Sequence, residues 1–238
     1  MAMRVGFHLE GWDYLIVRAL LARLLDVAES ELLPDQVTLS SRGWTTIVEV
    51  LPQAIQRFYQ RCCQFAVIGI DNDGNLDVGK TGQLEDPRRP RHWNHHEKHD
   101  QCRYCLLQGI VEQTRLGLRP LPQKPAASWP ILLAVPVESI EAWLLSLRVI
   151  VAGQGGLYFE KELRKTLKQR FYGRPEATQG DVEEVALPLI RGATAANLAT
   201  LSEACQSFQL LTQQVEAARG HILGSRDCWA PDDQAAAV

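Results

Sequence analysis

The chain opens on a short apolar run over residues 4–9, which predicts a strand. Residues 13–27 carry Leu15, Ala19, Leu20 and Leu24 at helical spacing, predicting an amphipathic helix with Asp13 as its N-cap. Residues 36–40 predict a second strand and residues 45–61 a second helix. The run 65–70 is continuously apolar and stops at two aspartates, the pattern of a parallel strand buried on both faces. Residues 130–135 repeat that pattern and lead into a helix over about 139–152. Strand and helix alternate, so the expected fold is α/β with a mostly parallel sheet.

Two regions depart from this alternation. Residues 79–128 are rich in Pro, Arg, His and Cys and read as an insertion. From residue 159 the pattern is helical without a strand signal, over 159–171, 181–190 and 195–219, and the tail 230–238 is expected to fray. The expected organisation is a core of 1–78 and 129–152, an insertion 79–128 and a helical C-terminal region 153–238.

Composition narrows the class. Of 238 residues, 46% are hydrophobic and 22% charged, which excludes a disordered, collagen-like or coiled-coil chain. Apolar stretches near Trp129 and Trp143 are interrupted by Pro136 and Arg148, so no membrane span is expected. The first residues lack an apolar signal core, and six unevenly placed cysteines do not make a disulfide scaffold, so a cytoplasmic location is expected. The net charge of −3 means that any nucleic-acid contact must come from a local patch or through metal ions.

The candidate chemistry begins with acids at strand ends. Glu10 lies at the end of the first run, and Asp71 and Asp73 at the end of 65–70. In open α/β sheets, sites form at the carboxyl ends of the strands. Three converging carboxylates repel one another unless a cation neutralises them, and an all-oxygen ligand set suits Mg²⁺ or Mn²⁺.

Glu10-Gly11 followed by an aspartate and an amphipathic helix, then a hydrophobic strand ending in Asp71-x-Asp73, resembles the Toprim domain of topoisomerases, bacterial primases, overcoming-lysogenization-defect nucleases and phage-defence nucleases. The resemblance covers roughly residues 4–75 and extends to about 152. Ser139-Ile140-Glu141-Ala142-Trp143-Leu144-Leu145, and Ser207-Phe208 near a helix junction, are similar to segments of small bacterial Toprim-like proteins. The resemblance implies a Rossmannoid core and a catalytic divalent metal on Glu10, Asp71 and Asp73. It further implies Mg²⁺-dependent endonuclease chemistry on DNA or RNA, with Glu10 as general acid or base. Glu141, or else Glu138, would complete a second metal site. It also implies a place in antiviral defence, as a toxin-like effector beside a partner ATPase. The departure from the family pattern is the insertion directly after Asp73.

The same loop carries two look-alikes. Residues 74–81 match the phosphate-loop spacing and end on Lys80-Thr81, but Gly82, Pro87 and Pro90 follow where a helix should start, and Asp77 would face the phosphates. Asp71, Asp73, Asn75 and Asp77 imitate a calcium loop but lack the glycine at its sixth position and the glutamate at its twelfth.

The insertion holds a further ligand set. His92, His95, His96 and His99 crowd together and Cys102 and Cys105 follow, a borderline-soft set that suits tetrahedral Zn²⁺. The favoured ligands are His95, His99, Cys102 and Cys105, with His96 or His92 as substitute. Such a structural zinc would supply folding energy to the insertion. Arg88, Arg89 and Arg91, beside Trp93, form the expected nucleic-acid contact, and Lys161, Arg164, Lys165, Lys168 and Arg170 of the helix 159–171 a second one of little weight, since exposed helix faces are charged in any case. Two rival readings remain: a non-catalytic module that docks a partner protein through its zinc insertion, and a phosphotransferase using Lys80 and Thr81.

Overall fold

A computed structural model describes residues 2–36, 44–71, 103–121, 126–136, 139–154, 159–160, 162 and 164–224. Four strands, β1 (Met3–His8), β2 (Leu32–Gln36), β3 (Phe65–Gly69) and β4 (Ile131–Ala134), form a parallel sheet in the order β2-β1-β3-β4. The register pairs Val5 with Pro34 and Phe65, and Ile68 with Leu133.

Helix α1 (Asp13–Leu25) carries the chain from β1 outward to β2. Helices α2 (Trp44–Gln60) and α3 (Arg103–Leu116) carry it the other way, to β3 and then β4. Crossovers of one hand that move in opposite directions must lie on opposite faces of the sheet. Accordingly Ile16 and Leu20 of α1 share a core with Val5, Phe7 and Val67. Ile55 and Phe58 of α2 and Leu107 and Val111 of α3 share another with Ala66, Ile68 and Leu133. Both faces are covered, which is why β3 is apolar at every position. Phe58 lies so close over β1 that a Cβ at Gly6 would stand 2.3 Å from its ring. Buried His8 adds a ring N–H to the Ile47 carbonyl, 2.9 Å away.

After β4 come α4 (Glu141–Val151), α5 (Arg164–Tyr172) and α6 (Gln179–Asp181). A π-turn (Val182–Ala186) leads to α7 (Leu187–Gly192), followed by α8 (Ala195–Ala204) and α9 (Gln206–Gly224). Phe171, Ile190, Leu201, Phe208 and Leu211 from these helices enter the same core as α1 and β1. Two segments singled out in the sequence meet here: Trp143 Nε1 donates to Ser207 Oγ at 2.6 Å, and the Trp143 and Phe208 rings pack edge to face. Ser207 Oγ in turn donates to the buried carboxylate of Glu160. The edge of β4 is covered by one side chain: Gln214 Oε1 accepts from Leu133 N at 2.9 Å, and its Nε2 donates to Leu133 O at 3.1 Å. A glutamine amide thus bonds the side of β4 on which no strand pairs among the described residues.

Several element boundaries differ from the sequence expectation. The second strand, expected over 36–40, starts at Leu32 and runs to Gln36; residues 37–40 lie outside the described residues. Pro34 fits there because, among the described residues, β2 is an edge strand, where a missing N–H is tolerated. The segment 79–128 contains α3, which packs against the sheet as the crossover into β4. The helix expected over 159–171 starts at Arg164, while Phe159 and Glu160 are buried in core contacts before it. The helix expected over 181–190 runs from Gln179 to Gly192, with the π-turn just ahead of Pro188, which has no N–H to donate. The stretch 195–219 is two helices, broken at Cys205, whose backbone is extended and whose buried thiol donates to Ser146 Oγ at 3.2 Å.

Candidate active site

Between β1 and β3 the sheet has its topological switch point: the chain leaves β1 toward one edge and β3 toward the other. The connections part there, the place at which open α/β sheets form their crevice, at the carboxyl ends of the strands. Glu10 borders the crevice just past β1, in a turn closed by Gly11 at φ +50 and by an Asp13 N–H bond to the Glu10 carbonyl at 3.1 Å. Asp71 borders it from the other side, two residues past β3. Two helix starts complete the group. Asp13 opens α1, and Glu141 opens α4 after β4. The positive end of a helix dipole favours a carboxylate in the first turn by about 0.3–1 kcal/mol, which partly offsets the mutual repulsion of the four.

Asp13 is the residue that sequence reasoning missed. It was expected as an N-cap, but Trp12 holds that position and no side-chain capping bond is made. The first-turn Asp13 side chain instead joins the acidic group: burial, the charge of Glu141 and that of Glu10 push its carboxyl up to about 7, against the pull of Lys168 and Arg164. Asp71 is raised well above the usual carboxylate range, first by burial and next by Asp13, with Arg164 opposing and Glu141 and Glu10 adding to the rise. The signal available in the sequence was Asp13 three residues after Glu10, a spacing that one turn of backbone brings to the same end of the sheet.

One face of α5 supplies the cations. Arg164 Nη2 is 3.2 Å from Asp71 Oδ2 and 3.7 Å from Glu10 Oε2. One turn later Lys168 Nζ is 3.9 Å from Glu141 Oε1. A further turn on, the Tyr172 hydroxyl is buried without a hydrogen-bond partner, its pKa raised by burial and by Glu141 and Asp13. The floor is closed by Arg103 of α3, which donates to the Asp71 carbonyl oxygen.

Were all four carboxyls ionised, Arg164 and Lys168 would leave two negative charges in a largely buried group, which is the repulsion that raises Asp13 and Asp71. Asp71 and Glu141 are each 2% exposed, and Asp71 Oδ1 and Glu141 Oε2 have no hydrogen-bond partner. A buried unpartnered carboxylate oxygen is costly, which favours a proton or a cation at these positions. The donor set is all oxygen, which fits Mg²⁺ or Mn²⁺ rather than zinc. Among the described residues no three His, Cys, Asp or Glu side chains are drawn close enough to surround one ion, and the Arg164 guanidinium lies between Glu10 and Asp71.

The structure thus brings Glu10, Asp71 and Glu141 to one crevice and adds Asp13 to them. Asp73 and Glu138 lie outside the described residues, as do Lys80, Thr81, Arg88, Arg89, Arg91, His92, His95, His96, His99 and Cys102. Cys105 is half-buried on the first turn of α3. No helix among the described residues is long and apolar enough to cross a membrane. Comparison of the chain with family models, with curated proteins and with solved structures gave no match.

Proposed function

We propose that this protein is a divalent-cation-dependent nuclease of the Toprim type, acting on DNA or RNA phosphodiesters. The observation that carries the reading is the pair of buried, unpartnered oxygens, Asp71 Oδ1 and Glu141 Oε2, in a group of four carboxyls at the switch point of a parallel sheet. Such a group, when ionised, calls for positive charge. Glu10, Asp71 and Glu141 are the residues that would hold Mg²⁺ or Mn²⁺, with Asp73 as a further ligand from the resemblance. When bound, the ion supplies Lewis-acid polarisation of a phosphoryl oxygen.

The chain's own residues have distinct parts in this scheme. Asp71 and Glu141 are nearly sealed from water and would be the buried ligands of the ion. Glu10 is 15% exposed and is the ligand from which a proton can pass to or from solvent, as a general acid or base requires. Asp13, its carboxyl raised to about 7 by burial and its acidic neighbours, could release its proton and so add a negative charge to the group when a cation is held there. Arg164 and Lys168 form the cationic wall along which a phosphate backbone would lie, since arginine pairs with phosphate through two parallel N–H bonds.

The test is cleavage of plasmid, single-stranded DNA and tRNA with Mg²⁺, Mn²⁺ or EDTA, comparing wild type with the double variant Glu10→Ala/Asp71→Ala and with Glu141→Gln. Cation-dependent cleavage by wild type is expected, with a loss of at least about 100-fold in either variant, the usual scale for removing groups that stabilise transition-state charge. Cleavage that resists EDTA, or that survives in the double variant, would overturn the reading.

A further inference from the structure

The position of Arg164 bears on how the site is loaded. Its guanidinium touches two of the proposed ligands at once, Asp71 at 3.2 Å and Glu10 at 3.7 Å. It comes from the opening turn of α5, which is fastened to the core by buried Leu167 and Phe171 and by Arg148 Nη2 donating to the Phe171 carbonyl at 3.1 Å. Arg164 itself is 35% exposed, so the long side chain has solvent to swing into while the helix stays in place. Lys168, one turn deeper and 19% exposed, meets Glu141 at the longer distance of 3.9 Å. A guanidinium between two carboxylates satisfies part of their charge, but it leaves Asp71 Oδ1 and Glu141 Oε2 without partners. A divalent cation held by Glu10 and Asp71 would compete with the guanidinium for the oxygens that Arg164 now faces, and would offer Asp71 Oδ1 a partner that the guanidinium does not.

On this ground, and resting on the metal reading above, we infer that Arg164 is an exchangeable internal counter-ion. It holds the acidic group together until a divalent cation displaces it, and the released guanidinium then becomes the contact for the substrate's phosphate. Arg164 is thereby a binding residue whose availability depends on the metal, which couples cation entry to substrate engagement. The arrangement also lets the acidic group stay folded without an ion, since one cation or the other always faces Glu10 and Asp71.

The experiment measures Mn²⁺ binding to the whole chain by calorimetry, for wild type, Arg164→Gln and Arg164→Lys, with thermal unfolding in EDTA as the folding control. Removing a unit charge that competes for the ligands should tighten Mn²⁺ binding on the order of tenfold in Arg164→Gln. The same variant should melt at a lower temperature than wild type in EDTA and gain more on Mn²⁺ addition. Arg164→Lys keeps the charge and should stay within about threefold of wild type, which separates charge from shape. On the nucleic acid that wild type cleaves, Arg164→Gln should raise KM at saturating Mn²⁺ more than it lowers kcat. Equal or weaker Mn²⁺ binding by Arg164→Gln would overturn the counter-ion role and leave the metal reading standing. Tighter binding with an unchanged KM would overturn the phosphate contact. Failure of wild type and both variants to bind Mn²⁺ would overturn this inference together with the metal reading.

Discussion

Asp13 shows how a single side chain changes meaning with its surroundings. At a helix start an aspartate reads as a cap, yet here it faces Glu141, Glu10, Lys168 and Arg164, and burial with its acidic neighbours raises its carboxyl to about 7 from an ordinary 3.8. A raised carboxyl holds its proton in the folded state after the unfolded chain has lost it. The folded state therefore loses stability as pH rises from about 4 to about 7, and the full cost of the charge remains above that window. Asp13→Asn removes this cost. In EDTA at pH 8 the variant should be more stable than wild type by up to about 4 kcal/mol, at about 1.4 kcal/mol for each unit of the rise, and the gain should shrink to nothing near pH 4. Urea unfolding at the two pH values measures it, and an equal gain at both would show that the charge of Asp13 is not the cause.

At the scale of elements, the sheet is positioned by contacts that are not periodic. Among the described residues β2 and β4 are its two edges. β2 carries Pro34, which has no N–H to donate, and Asp35, which is buried and pairs with Arg61 at 3.1 Å and Arg57 at 3.7 Å. β4 is covered instead by Gln214 of α9, whose amide bonds both the N–H and the C=O of Leu133. Gln214→Ala should cost about 1–2 kcal/mol, because a partly buried backbone pair loses both partners together. Gln214→Leu keeps the bulk and should cost as much. Recovery of wild-type stability by leucine would mean that packing rather than bonding holds α9 on β4, and denaturant midpoints decide between them. The boundaries that the sequence pattern misplaced have the same origin. Apolar periodicity continues across Cys205, but the chain turns there so that Ser207 can meet Trp143 and Glu160.

For the whole molecule, the helices after β4 are part of one core with the sheet. Phe171, Ile190, Leu201 and Phe208 pack with Val5, Phe7 and Leu20, and Arg219 donates to the Leu24 carbonyl at 3.2 Å and to that of Leu25 at 3.3 Å. Residues 164–172 also carry the cations of the acidic crevice. Deleting residues 159–238 should therefore strip one face of α1 and α4 and yield a chain without a cooperative unfolding transition, read by circular dichroism and dye binding. The full chain should unfold in one step. A cooperative fold in the shortened chain would make the C-terminal helices a separate unit.

The sequence by itself determined the alternation of strand and helix and the parallel character of the sheet. Strands such as β3, buried on both faces, must be apolar throughout, and that pattern is local. It also placed Glu10 and Asp71 at strand ends and singled out Glu141, since an acid next to an apolar run is visible in one dimension. Tertiary structure decided what these acids face. Asp13 joins them because one turn of backbone returns it to the end of β1, and Arg164 and Lys168 reach them from a helix far along the chain. Charged residues on a helix look alike in a sequence whether they meet water or a buried carboxylate. That difference is set by desolvation and by distances of 3–4 Å, which exist only once the chain has packed.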